Sequence, residues 1–263
     1  MHTVHSGFSV LSLNLRFGLS DDGPNSWKHR KKALPALFKS YRDDFIGFQE
    51  ANDFQIDYLK TILTEYKVIG KRDPAASFWQ SNVIFFRNGW ELTFFSHFFL
   101  SPTPSIPSRF RESRWPRQCT LGMFENNNKR LICMNTHFDF AEAVQTQSAG
   151  IILEHLSYLP ADVPAILMGD FNATPKNDCY RVFTVPAHLP TYKGPWFKNA
   201  AAEPFPGTYH GFKGKPNDRH IDWILYRGRL NPLNHTVIEK TFQSMYPSDH
   251  FPVHAKFNWI DEV

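Results

Sequence analysis

Along this 263-residue chain, apolar runs keep stopping on side chains able to bind a cation or a phosphate. Asn14 follows VLSL, Glu50 follows FIGFQ, His137 follows ICMNT, and Asp170 and Asn172 arrive two residues apart after AILMG. Asp222 lies inside HIDWIL, and Asp249-His250 directly precede FPVHAKF. Strand ends along one edge of a sheet converge in space, so this pattern demands a sheet-based fold that gathers distant segments into one site. Singly, each residue has a plain explanation: Asp and Asn form turns and helix caps, and a lone His in NTHFDF is readily a hydrogen-bonded structural residue. Asp222 between Ile221 and Trp223 resists that explanation, because a carboxylate among apolar neighbours is costly unless paired. Taken together, the set outweighs the plain reading.

The intervening pattern supports such a fold. FSVLSLNLRF alternates as a buried strand, and a polar turn, GLSDDGPNS, follows. From Ser26 the period becomes helical, with Trp27, Leu34, Leu37, Phe38 and Tyr41 on one side and Pro35 set to kink or shorten the helix. DFIGFQE reads as a strand, residues 53–63 as a short helix, and YKVIG as another strand. SNVIFFR and WELTFFSHFFL read as a hairpin turning on Asn88-Gly89. Residues 101–116 are too rich in proline for an element. RQCTLGMF and RLICMNTHF follow as strands joined by ENNNK. The clearest helix is 142–159, with Val144, Ser148, Ile151, Ile152, His155, Leu156 and Leu159 on one stripe. PAILMGDFN is the next strand, residues 184–218 form a long functional loop region, and HIDWILYR, HTVIEKTF and FPVHAKFNW close the chain. No linker or repeat is visible, so one mixed α/β domain over 1–263 is expected.

Composition narrows the chemistry. The formal net charge is only +4, which is compatible with a phosphate-bearing substrate but gives no long basic track. Cys119, Cys133 and Cys179 are odd in number and widely spaced, arguing against a disulfide framework or zinc site and for a reducing, cytoplasmic setting. MHTVHSGFSVLSLNLRFG lacks the order of a secretion signal, and no run approaches the ~18 apolar residues of a membrane span. Oxygen ligands from Glu50, Asn14 and Asp249 favour Mg²⁺ or Mn²⁺ over Zn²⁺. Phosphoester hydrolysis needs charge neutralisation, a base for water and donors around phosphorus. Asp170 is the candidate base and Asn172 a candidate donor; His137 and His250 can act as donors or acids.

The motifs in order (LNL, GFQE, NTHFD, GDFNATP, RHIDWIL, YPSDHFPV) resemble the endonuclease/exonuclease/phosphatase superfamily over residues 8–257, and in particular its deoxyribonuclease I-like, small bacterial-type members. The resemblance implies a four-layer α/β (α+β) sandwich, two mixed β-sheets face to face with helices outside. By similarity, Glu50 is the main metal ligand, helped by Asn14 and Asp249. Asp170 handles the attacking water, Asn172 holds a phosphate oxygen, and His250, oriented by Asp222, contacts the scissile phosphate. His137 is the second histidine, and Arg117 reaches the phosphate. Relatives often place a glutamate where this chain has Gln80, which stabilises a protonated His137 less. Trp27, Arg30, Phe98, Leu100, Ser101, Gly207 and Thr208 match the small bacterial-type subgroup.

The expected activity is metal-dependent phosphoester hydrolysis by a monomer needing no protein partner, foremost as a phosphodiesterase or nuclease on nucleic acid. The alternative is a phosphatase or phosphodiesterase for a small or lipid phosphoester. A silent binding module has no reason to keep the whole set.

Overall fold

The computed structural model describes residues 7–72, 76–189 and 191–260. MHTVHS, the start of the stretch read above for a secretion signal, therefore lies outside the described residues. Twelve strands form two six-stranded sheets among the described residues. The first sheet contains β1 (Gly7–Asn14), β2 (Phe45–Ala51), β3 (Tyr66–Ile69), β4 (Ser81–Arg87), β11 (Leu230–Val237) and β12 (Val253–Trp259), in the order β11-β12-β1-β2-β4-β3. The second contains β5 (Glu91–Phe99), β6 (Gln118–Asn126), β7 (Lys129–His137), β8 (Ala165–Asp170), β9 (Lys198–Asn199) and β10 (Asp222–Arg227), in the order β5-β6-β7-β8-β10-β9. Each sheet has one parallel pair at its centre, β1–β2 and β7–β8, and antiparallel partners elsewhere.

Three apolar layers explain the stacking. Phe8, Val10, Phe45 and Ile84 of the first sheet pack against Leu131, Ile166, Met168 and Ile224 of the second. On the outer face of the first sheet, Leu11, Leu13, Ile46 and Phe48 meet Trp27, Leu34, Leu37, Ile56 and Leu59. These come from α1 (Trp27–Arg30), α2 (Leu34–Ser40) and α3 (Asp53–Ile62). Beyond the second sheet, Ile132, Met134 and Leu167 meet Ile152, Leu153, Val182 and Phe183 of α4 (Glu142–Ser157) and α5 (Asp178–Thr184). This is the expected sandwich of two mixed sheets with helices outside.

Local rules hold in most places. Pro35 lies in the first turn of α2, so the 27–41 stripe breaks into two helices instead of one kinked helix. Asn52 and Gln55 form a capping box at α3. Two readings are corrected. β4 and β5 are not a hairpin: β4 already has β2 and β3 on its two edges, and β5 pairs with β6 in the other sheet. Asn88-Gly89 makes a turn, but Trp90 behind it is buried among Phe8 and Phe45, which carries the chain across the sandwich. The strand expected at HTVIEKTF starts earlier, at Leu230, and ends at Val237. Helix α5, absent from the periodicity reading, starts after Asn177, whose Oδ1 accepts from Thr174.

Gly169 sets the spacing of β7 and β8. Its φ is +154°, and a Cβ there would stand 2.1 Å from the Thr136 carbonyl oxygen. Gly169→Ala is therefore expected to cost about 1–3 kcal/mol, read as a lower melting temperature. An unchanged melting temperature would contradict this close approach.

Candidate active site

Strand alternation aims the site residues. In β8 the side chains of Ile166 and Met168 point between the sheets, so Asp170, two positions on, does the same. The same count from Leu131 and Cys133 brings His137 into that layer, and from Ile224 back to Asp222. Register places them side by side: His137 is opposite Asp170, and Asp170 opposite Asp222. Phe8 and Val10 give Asn14 the same aspect in the first sheet. Glu50 should face the helices by this count, since Ile46 and Phe48 do. A register shift between Phe48 and Ala51, with Glu50 at φ +58°, turns it back toward Asn14.

The result is one hydrogen-bonded cluster. Asn14 Nδ2 donates to Asp170 Oδ2 (2.9 Å) and Glu50 Oε1 (3.1 Å), while its Oδ1 accepts from the Arg16 amide (2.7 Å). Glu50 Oε2 accepts from the Phe17 amide at 2.6 Å. Asp170 Oδ1 accepts from the Asn172 amide at 2.9 Å. His250 Nδ1 lies 2.9 Å from Asp222 Oδ2, and its Nε2 lies 3.8 Å from Asp170 Oδ2. Thr208 Oγ1 accepts from the amides of Ile221 and Asp222, which fixes the start of β10. Beneath the cluster, Asn135 Nδ2 of the second sheet donates to the carbonyls of Phe48 and Val83 in the first.

The two histidines differ in charge. Burial opposes protonation of His250, yet the carboxylates of Asp222, Asp170 and Asp249 outweigh it and hold its pKa well above the usual value. That contribution to stability is complete below the unfolded value of ~6.5 and is lost as pH rises through the folded one. His137 goes the other way: burial, then the charges of Arg117 and His250, hold it well below the usual value. Its Nε2 lies 3.5 Å from Asp170 Oδ2, which resembles an ion pair. Asn172 Nδ2, however, is 3.0 Å from the same nitrogen and donates to the Phe138 carbonyl too, so Nε2 is an acceptor and the ring is neutral. Asp170 is pushed up to about 7, chiefly by burial, with Asp222 adding and His250 opposing.

Asn14 thus enters the site through its amide N–H, its oxygen being turned to the backbone. Asp249 is buried, its Oδ1 accepting from Ser248 Oγ and its Oδ2 lying 3.7 Å from Arg16 Nε. Arg16, at φ +58°, also pairs with Asp22 at 2.9 Å and feels the charge of Glu50. Nothing in the sequence pattern marks Arg16, because its role depends on loops closing from three directions. Arg30 closes one of them, donating to the carbonyls of Pro247 and Arg16. Arg117 is buried beside Asp139 (3.5 Å), and its guanidinium lies over Phe140. It lines a cavity of about 540 Å³ together with Arg16, Glu50, Gln80, His137 and a set of aromatic side chains.

Oxygen donors on Glu50 and Asp249 fit a hard divalent cation. The ligand atoms of Asp170, Asp222 and His250 also lie within 4.8 Å of one another. There the Asp222–His250 hydrogen bond occupies Asp222 Oδ2 and His250 Nδ1, while Asp222 Oδ1 has no hydrogen-bond partner.

The profile of the Endonuclease/Exonuclease/phosphatase family matches residues 11–250. No curated protein matches. Among solved structures, a mannosyl-6-phosphatase of Bacteroides thetaiotaomicron is 25% identical, with a TM-score of 0.85, over 96% of this chain and 100% of that one. A family protein from Bacteroides vulgatus is likewise 25% identical, with a TM-score of 0.85, over 96% and 99% of the two chains. The human nocturnin catalytic domain with bound sulfate is 18% identical, with a TM-score of 0.74, over 96% and 93%. Among the described residues no helix is long and apolar enough to cross a membrane.

Proposed function

The chain belongs to the endonuclease/exonuclease/phosphatase family, whose members hydrolyse phosphoesters, and from that premise we propose that it is a divalent-cation-assisted hydrolase of a compact phosphomonoester. The observation that carries this reading is the cluster of Asp170, Asn14, His250 and Asn172 beside a 540 Å³ cavity that Glu50, His137 and Arg117 share. A pocket of that size fits a small molecule. The likeness to a mannosyl-6-phosphatase supports the same choice over the nuclease expected from the motifs.

In this reading Glu50 and Asp249 hold the cation, with Asn14 fixing the Glu50 carboxylate. The bound cation neutralises phosphate charge and lowers the cost of activating water. Asp170 takes the proton of the attacking water. Asn172 and neutral His137 position a phosphate oxygen, Arg117 adds a positive charge, and the His250 imidazolium, oriented by Asp222, donates to the phosphate.

The test is product release with Mg²⁺ from p-nitrophenyl phosphate, bis(p-nitrophenyl) phosphate and single-stranded DNA. The monoester should turn over fastest; cleavage of DNA in preference to both would return the reading to a nuclease. Asp222→Ala and His250→Ala should each lower kcat by about tenfold or more, and the double variant by little more than either, as residues acting as a unit do. Strictly multiplicative losses would separate their roles.

A further inference from the structure

The cavity beside the cluster is also lined by three exposed aromatic rings. Phe78, Trp115 and Phe140 reach it from separate loops, before β4, before β6 and after β7, and are 65%, 54% and 67% exposed. Single exposed rings need no explanation, but three gathered around one opening do. Each stands on backbone pinned by a buried polar side chain. Asn52 Nδ2 donates to the carbonyls of Ser77 and Trp79, on either side of Phe78, at 3.2 and 2.9 Å. Ser113 Oγ lies 2.7 Å from the Trp115 carbonyl and 2.8 Å from Asp139 Oδ2. Next to Phe140, Asp139 accepts from the Ala141 amide through Oδ1 (3.3 Å) and from Gln145 Nε2 through its carbonyl (2.7 Å). Asp139 pairs with Arg117 as well, so two of the three rings are anchored beside a cation of the phosphate site. Among the described residues that line the cavity, only Arg16, Glu50 and Arg117 carry charge, and all three belong to the cluster's end.

We propose that Phe78, Trp115 and Phe140 form a collar that selects the esterified group, and that this group is an uncharged ring. The proposal rests on the phosphomonoesterase reading above. A phosphate held at the cluster leaves the group it esterifies to fill the rest of the same cavity. A ring lays a rigid, flat apolar face on aromatic side chains. A short acyclic chain covers less of them and loses more conformational freedom in doing so. A sugar ring offers its C–H face and an aromatic ring its π face, and both meet the collar by the same contact.

The test compares kcat/KM for phosphates of primary alcohols, whose leaving groups are chemically alike: glucose 6-phosphate and benzyl phosphate against glycerol 3-phosphate and ethyl phosphate. At least one ring ester should exceed both acyclic esters by about tenfold or more, and which one it is identifies the kind of ring. Phe78→Ala and Trp115→Ala should each cut that ratio by about threefold or more, and Trp115→Phe by less. Melting temperatures should stay near the wild-type value in all three variants, because the rings replaced are exposed. A ring preference unmoved in both alanine variants overturns the collar. So does a wild type that hydrolyses p-nitrophenyl phosphate yet favours neither ring ester over the acyclic ones; in both cases the phosphomonoesterase reading stands. No hydrolysis of any of these monoesters overturns both.

Discussion

Hydrolysis is expected to fall to background when divalent cations are stripped with EDTA, and to return on adding Mg²⁺ or Mn²⁺. The charge balance around the cluster is the reason. Glu50, Asp249 and Asp22 face Arg16 and Arg30, while Asp170 and Asp222 face His250, so five carboxylates meet three positive charges. A phosphate dianion entering beside these carboxylates is repelled unless a further positive charge arrives with it, and Arg117 is already paired with Asp139. A second readout needs no turnover. A cation at 100 times its Kd should stabilise the fold by about 2.7 kcal/mol, so Mg²⁺ should raise the melting temperature of the wild type. Glu50→Gln should remove most of that rise while leaving the metal-free melting temperature nearly unchanged. Full activity in EDTA would sink the assignment.

Asp170→Asn should lower kcat by ~10²-fold or more, the scale for losing a general base. The substitution keeps the shape and one of the two acceptors that serve the Asn14 and Asn172 donors, the other donor then facing an amide nitrogen. Its effect on stability should run the opposite way. Burial lifts Asp170 to about 7 in the fold, against ~3.9 unfolded. A raised value means that its contribution to stability is complete below the unfolded value and is lost as pH rises through the folded one; above that, the protein bears the whole cost of a buried charge. In EDTA, the Asp170→Asn variant should therefore melt higher than the wild type at pH 8, with the gap closing toward pH 4. Lost support for the His250 charge reduces the gain. If Asp170 only capped its strand, kcat would hold and melting would drop.

Much of this site is legible in the sequence because strand alternation is a local rule. Once Met168 is read as buried, Asp170 must share its face, and the same count finds His137 and Asp222. Glu50 is marked by its motif, although plain alternation would turn it toward the helices; the bulge that re-aims it leaves no pattern in the residues. Arg16, Asp139 and Trp115 are not legible, since each acts through loops whose closure depends on distant partners such as Arg30 with Pro247. The Asn88-Gly89 turn misleads for a related reason: its chemistry sets a reversal, but the burial of Trp90 decides which sheet receives the next strand.

The two sheets run through the same sequence of strand directions, with the parallel pair third and fourth in each. In one pair Asn14 ends its strand and Glu50 lies one residue from the end of the other; in the second pair His137 and Asp170 are the last residues. In the proposed mechanism neither half owns a complete apparatus: one jaw would carry the grip on the cation, the other the proton acceptor. Fidelity of the reaction is then a matter of how closely the jaws meet, and the pins are side chains such as Asn135 that cross the gap. Loosening such a pin would spoil the bite while each jaw stayed intact, a fault that melting curves underreport and turnover would reveal.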